Sequence, residues 1–283
     1  MAVVATGFFD GVHLGHRKVL EALSAQARLL GTRAVAVTFS RHPRSVFGRD
    51  SAALKLLTCP EEREAEILRA GADEVQTLPF TREFAAMTAR EYLHEVLEAR
   101  FGATAVVLGY DNRFGSDLLP TDGLAELVRS EGFGCVVVEP LVVDGVTVSS
   151  TKIRSALEAG KVDAAARMLG RDYSVSGEVV HGKKLGRTIG FPTANLRLPD
   201  PGKLVPAGGV YFTTAILDGK RYPSMTNVGS IVETHLLDFD GDLYGRTLGV
   251  EFHRRIRDTR PFDSLGALAA QLRSDAAFCR SLL

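Results

Sequence analysis

From the N-terminus to about residue 170, short runs rich in apolar residues alternate with stretches of helical spacing. Val3–Ala5, Ala34–Thr38, Glu74–Leu78, Ala105–Gly109 and Gly134–Glu139 read as buried strands, because apolar runs of this length suit a sheet covered on both faces. Between the first two, Val19, Leu20, Leu23, Ala27 and Leu30 recur at the helical period on one face, and Gly31 supplies a stop. Thr58-Cys59-Pro60-Glu61 has the shape of a capping box with proline just inside the helix. Thr88-Ala89-Arg90-Glu91 repeats the capping signal ahead of Tyr92, Leu93, Val96 and Leu97. Such alternation predicts an α/β half: a parallel sheet with helices on both faces, whose ligands sit at the carboxyl ends of the strands.

Beyond Gly170 strand-type runs dominate. Tyr173–Val180, Val210–Leu217, Ser224–Val228, Glu233–Phe239 and Leu248–Phe252 are separated by clusters of Gly, Pro, Asn and Asp. Asp218-Gly219 and Asp240-Gly241 mark expected hairpin turns. A closing helix is predicted from about Ser264, with Leu265, Leu268, Leu272 and Phe278 inward. The pattern predicts a small antiparallel barrel with a packed C-terminal helix. Two domains are expected, 1–170 and 171–283, with a short join near Arg171-Asp172.

Composition narrows the function classes. The chain has 283 residues, 45% of them apolar, enough for two cores. Lys plus Arg and Asp plus Glu both number 34, so the formal charge is zero, which argues against bulk binding to nucleic acid or an anionic membrane. Cys59, Cys135 and Cys279 make neither a CxxC pair nor a disulfide framework, which points to a reducing cytoplasm. No signal-peptide pattern opens the chain, and no apolar run reaches membrane-spanning length. A cytoplasmic protein acting on small molecules is expected; the sequence leaves the oligomeric state open.

The candidate chemistry starts at Gly7-Phe8-Phe9-Asp10-Gly11-Val12-His13-Leu14-Gly15-His16, directly after the first strand. A glycine-rich turn at a helix N-terminus presents N–H groups to an anion, and His13 and His16 are neighbours on the first turn. No Gly-x-x-x-x-Gly-Lys-Ser/Thr exists, so the usual phosphate cradle is absent. An imidazole pair there suits charge building on phosphorus during adenylyl transfer, a reaction governed by positioning and electrostatics. The bland alternative is a turn histidine and a chance histidine at a helix start. Ser149-Ser150-Thr151-Lys152-Ile153-Arg154 places hydroxyls and two cations at another helix start, either an anion site with Arg154 neutralising phosphates or ordinary capping by Ser150. In Gly109–Gly115, Asp111 and Arg113 suit a polar substrate, and Tyr110 or Phe114 suits stacking on its ring. Arg41 and His42 end the second strand. Between His181 and Asn195, glycines permit wrapping of phosphates while Lys183, Lys184 and Arg187 offset charge. Thr193 and Asn195 offer neutral oxygens suited to Mg²⁺ held with nucleotide phosphates, although a basic hairpin loop would look the same. Glu233 is either a general base or a solvent-facing strand residue.

Together these motifs resemble the bifunctional prokaryotic riboflavin kinase/FAD synthetase family over nearly the whole chain. Gly7–His16 is similar to its nucleotidyltransferase motif, Ser149–Arg154 to its Ser-Ser-Thr-x-x-Arg segment, and Gly190-Phe191-Pro192-Thr193-Ala194-Asn195 to its kinase signature; Asp242-Leu243-Tyr244-Gly245 recurs there too. The resemblance implies an N-terminal Rossmann-like FMN adenylyltransferase domain and a C-terminal six-stranded β-barrel riboflavin kinase domain. It implies that His13, His16 and Arg154 assist transfer of AMP from ATP to FMN, that Thr193 and Asn195 bind Mg·ATP, and that Glu233 activates the riboflavin 5′-hydroxyl. Expected ATP contacts are Gly7, Phe9, Asp10, Gly15, Ser150 and Thr151 in the first half and Gly182, Lys184 and Gly186 in the second. Asp111 and Arg113 are the expected flavin contacts. Riboflavin, FMN and FAD are then substrates and products. Phe8, Asn112, Ser40-Arg41 and the short run from Asn227 to Glu233 depart from the family's pattern and bear on substrate affinity rather than fold. The rival readings are a riboflavin kinase with an impaired adenylyltransferase half, another nucleotidyltransferase, and a flavin-binding module without turnover.

Overall fold

The first five apolar runs pair into one parallel sheet. Its strands are β1 (Ala2–Thr6), β2 (Arg33–Phe39), β3 (Glu74–Leu78), β4 (Ala103–Gly109) and β5 (Gly134–Val138), in the order β3-β2-β1-β4-β5. β1 is buried throughout and pairs with β2 from Ala2↔Arg33 to Thr6↔Val37. Strands are added to one side of β1 and then to the other, so a crevice opens at the carboxyl ends of β1 and β4. Alternate residues feed two cores. Val4, Val106 and Leu108 pack with Leu93, Leu97 and Leu124. Val3, Ala5 and Val107 pack with Leu20, Leu23 and Ile67. The described residues of this computed structural model are 1–42, 54–182 and 185–283. They divide into two compact units, Met1–Ser150 and Thr151–Leu283.

The helix Leu14–Leu29 buries Val19, Leu20, Leu23 and Ala27 as its spacing predicts. Leu30 does not join that face: it is the C-cap and is 49% exposed, because the chain already turns toward Gly31 at φ +61°. The helix Pro60–Arg69 begins one residue later than its capping signal suggests. Cys59 is the N-cap and its N–H bonds Glu62, because Thr58 donates its own N–H and hydroxyl to Asp10. Thr88 and Glu91 do form a capping box, at the start of a helical run whose middle, Tyr92–Glu98, is π-wound and buries Tyr92, Leu93, Val96 and Leu97. A helix the pattern leaves unassigned, Thr121–Ser130, joins β4 to β5 and buries Leu124, Ala125 and Val128. A hairpin of β6 (Val142–Val143) and β7 (Val146–Thr147) follows β5.

The second unit carries the helix Val162–Leu169, which buries Val162, Ala165, Met168 and Leu169. Its barrel comprises β8 (Tyr173–Val180), β9 (Ala194–Arg197), β10 (Gly209–Leu217), β11 (Lys220–Val228), β12 (Val232–Leu236) and β13 (Thr247–Arg257). The order β10-β11-β12-β9-β8-β13 closes on itself, leaving no edge to pair with another chain. Asp218-Gly219 is the expected two-residue hairpin, with φ +47° and +76° and Leu217 opposite Lys220. Asp240-Gly241 is not a tight hairpin: β12 stops at Leu236 and β13 starts at Thr247, so this pair lies inside a longer connection. Ser264 caps the closing helix Leu265–Arg280 through Ala267 N–H. Leu265 and Phe278, expected inward, are exposed. The helix instead buries Ala269, Asp275, Ala276 and Cys279, because Asp275 pairs with Arg257 of β13 at 2.7 Å and turns the small residues inward. Among the described residues no helix is long and apolar enough to cross a membrane.

Candidate active sites

In the first unit the turn after β1 is shaped by its aromatic rings. His13 caps the Leu14–Leu29 helix, its Nδ1 accepting from His16 N–H at 3.2 Å. That bond leaves Nδ1 unprotonated, so the neutral ring carries its proton on Nε2. The His13 and His16 rings stack at 3.6 Å, and Phe9 meets His16 edge-on at 5.3 Å. A Cβ on Gly15 would come within 3.2 Å of the His13 ring, and one on Gly7 within 3.0 Å of the Phe9 ring. Phe9 itself adopts φ +54°, a costly conformation for a bulky residue. His16 Nδ1 is buried without a hydrogen-bond partner. Burial first, then the neighbouring His13, holds the His16 imidazole well below its usual range, so it is neutral at pH 7.

Asp10 braces this turn. Its buried carboxylate accepts from Leu57 N–H at 2.9 Å, Thr58 N–H at 3.0 Å and the Thr58 hydroxyl at 3.2 Å. Gly11 N–H donates to the Thr58 hydroxyl, and Ser150 Oγ donates to the Asp10 carbonyl at 2.9 Å. Phe8 stands beside them with His42 on its edge at 4.7 Å and the Arg63 guanidinium over its face at 4.3 Å. Arg63, which no local motif marks, is buried and donates to the Phe39 carbonyl at 2.8 Å. Across the crevice, Asn112 Nδ2 donates to the Thr6 carbonyl at 3.0 Å, tying the loop after β4 to the end of β1. Asp111 and Arg113 are exposed beside it. Phe114 does not stack outward; it is buried at 5.1 Å from Tyr92, which in turn reaches Thr6 Oγ1 at 3.1 Å. Tyr110 is the exposed ring of that loop.

Arg154 and Thr151 belong to the second unit, on the helix Ser150–Glu158, where Arg154 is buried beside Ile153 and Thr151 is exposed. In the barrel, three strands place Asn195, Glu233 and Asn227 in one row, since Glu233 pairs with Asn195 across β12–β9 and with Asn227 across β12–β11. Asn227 Nδ2 donates to Glu233 Oε2 at 3.2 Å. Asn227 lies in a segment prominent in the sequence only for its shortness; the cross-strand register alone reveals its partner. Gly182 has no room for a Cβ, which would lie 2.2 Å from the Asn195 amide, and Gly186 is held 2.2 Å from the Phe191 carbonyl by the same measure. Lys184 lies outside the described residues.

Two clefts meet at Thr193. One, about 510 Å³, is lined by Arg187, Thr193, Thr234, Asp242 and Tyr244. The other, about 320 Å³ and mostly apolar, is lined by Met225, Phe262, Leu268 and Leu272 with Glu233, Asn227, His235 and Thr193. A larger chamber of mixed lining that carries Arg187 and Asp242, and a mostly apolar chamber sharing a hydroxyl with it and holding a carboxylate, suit group transfer between a charged and an aromatic substrate. His235 was unmarked by sequence pattern. Its Nδ1 bonds the Pro192 carbonyl at 2.8 Å, and burial outweighs that bond to hold its imidazole below the usual range.

Known proteins resemble both units. The family model for FAD synthetase matches residues 1–152, and that for riboflavin kinase matches residues 169–283. A bifunctional riboflavin kinase/FMN adenylyltransferase from Pseudomonas fluorescens is 36% identical over 291 residues, covering 99% of this chain and 92% of that one. Its counterpart in Bacillus subtilis is 33% identical, covering 97% and 90%. A solved structure from Streptococcus pneumoniae, described as a macrolide-efflux protein, superposes with a TM-score of 0.92 and 34% identity, covering 99% of this chain and 93% of that one.

Proposed function

The chain belongs to the bifunctional riboflavin kinase/FMN adenylyltransferase family, and from that premise we propose which of its residues carry each step. It is a transferase that phosphorylates riboflavin to FMN and adenylylates FMN to FAD. ATP is the donor in both steps. Residues 171–283 perform the first and residues 1–170 the second, in the cytoplasm and without a nucleic-acid or membrane partner.

The shared Thr193 wall between the two clefts carries the kinase reading. ATP occupies the larger cleft, where Arg187 offsets the charge of its phosphates, with Gly182, Lys184 and Gly186 assigned to it as ATP contacts. The flavin ring fills the apolar cleft. Glu233 takes the 5′-hydroxyl proton as that oxygen bonds to the γ-phosphorus and the bond to the ADP oxygen breaks. Asn227 orients the carboxylate. Thr193 and Asn195 are hard oxygen donors, fit for Mg²⁺, and the missing Cβ at Gly182 makes the space in which the Asn195 amide lies. Mg²⁺ there would neutralise charge on the β- and γ-phosphates.

For adenylyl transfer, an FMN phosphate oxygen attacks the α-phosphorus of ATP and pyrophosphate leaves. His13 offers its Nε2–H, and the neutral His16 ring stacked upon it completes the surface facing the developing charge. Arg154 is assigned to the same step as a phosphate neutraliser. Gly7, Phe9, Gly15, Ser150 and Thr151 contact ATP, Asp10 supports that loop, and Asp111 and Arg113 receive FMN. Incubation with riboflavin, ATP and Mg²⁺, followed by chromatography, tests the whole: FMN appears first and FAD second. FMN alone would favour an impaired first half, and bound but unconverted flavin would favour a binding module.

A further inference from the structure

His235 sits where the β9–β12 ladder runs out. Pairing ends at Ala194↔Thr234, and the residues before Ala194 have no main-chain partner in β12. Pro192 cannot donate to a ladder, because it has no N–H. The His235 side chain reaches past the end instead, its Nδ1–H donating to the Pro192 carbonyl at 2.8 Å. Its ring meets Phe191 edge-on at 5.2 Å, while Phe191 N–H closes back on the Gly186 carbonyl at 2.8 Å. Phe191 and Pro192 are therefore held from both sides immediately before Thr193. His235 and Glu233 are two residues apart on β12, so they project from the same face, and both line the apolar cleft.

We propose that His235 is a positioning residue for phosphoryl transfer: its Nδ1–H fixes the Pro192 carbonyl and, through the next peptide, the Thr193 hydroxyl between the two clefts. This rests on the kinase reading of the barrel. A ring that merely filled space would be indifferent to which nitrogen donates. The bond through Nδ1 makes a specific demand, because an asparagine amide mimics Nδ1 whereas a glutamine amide reaches the position of Nε2.

The test uses the full chain and measures riboflavin phosphorylation in wild type, H235A, H235N and H235Q, with FAD formation from supplied FMN as an internal control. H235A is expected to raise KM for Mg·ATP about five- to tenfold, the scale of one lost hydrogen bond, and to leave FAD formation from FMN unchanged. H235N restores KM to within about twofold, while H235Q stays with H235A. Equal KM values for all four proteins, or equal defects in H235N and H235Q, overturn the proposal. If H235A does not fold, the asparagine–glutamine pair still decides. A wild-type protein that adenylylates FMN but never phosphorylates riboflavin overturns the kinase reading itself.

Discussion

His16 and Glu233 make the sharpest contrast available from single residues. His16 is packed between His13 and Phe9 with a buried, unpartnered ring nitrogen, and His16→Ala is expected to slow FAD formation by about 10²-fold, the usual cost of losing one preorganised charge-stabilising group. FMN formation should be unaffected. Glu233→Gln should do the opposite, lowering FMN formation by about 10²-fold or more while FAD formation from supplied FMN persists; product chromatography reads both. His16 also has a pH signature. Its folded value is depressed, so the unfolded chain binds the proton more readily, and stability falls as pH drops below the unfolded value of about 6.5. Urea midpoints at pH 7.5 and 5.5 should differ less in His16→Ala than in wild type. The histidine pair was legible because strand, turn and helix are contiguous. Asp10 was legible as an expected ATP contact of that turn but not as its brace: its partners are 47 and 48 residues away, and local spacing carries no trace of them.

Among the elements, strands with plain apolar runs and helices with one apolar face were readable, whereas those serving another demand were not. β9 is four residues long and carries Asn195, so its composition resembles a loop. The closing helix turns Asp275 inward to meet Arg257, which rotates Leu265 and Phe278 outward against their hydrophobicity. The barrel interior shows the same override. Thr213, Ser224, Thr226 and Thr234 are fully buried, and Thr226 Oγ1 bonds Thr213 at 2.8 Å and Thr234 at 3.0 Å. A hydroxyl chain in a dry core is stable only while every member has a partner. Thr226→Val keeps the volume but takes from Thr234 its hydroxyl partner and leaves Thr213 with Ser224 alone, at 2.7 Å, and it should destabilise the protein by about 1–3 kcal/mol. Urea unfolding followed by circular dichroism measures the loss; an unchanged midpoint would mean the chain re-pairs without Thr226.

Across the whole molecule, two family models occupy two stretches that do not overlap, 1–152 and 169–283. FMN is the product of one and the substrate of the other. If FMN leaves the barrel before it is adenylylated, the two halves need not belong to the same chain. His16→Ala then retains the kinase and Glu233→Gln retains the adenylyltransferase. An equimolar mixture should convert riboflavin to FAD, although neither variant alone does so at an appreciable rate. FMN should accumulate first, because it must reach a concentration sufficient for the second enzyme to bind it, and FAD should follow after a lag that shortens as the Glu233→Gln share rises. Passage of FMN within one chain shows in wild type rather than in the mixture: wild type then forms FAD without the lag, and without the free FMN, that the mixture must show. A time course of riboflavin, FMN and FAD in wild type beside the mixture, at equal concentrations of each active half, separates these outcomes: a wild-type lag equal to that of the mixture means that FMN is released between the two transfers, and no lag means that it is passed on.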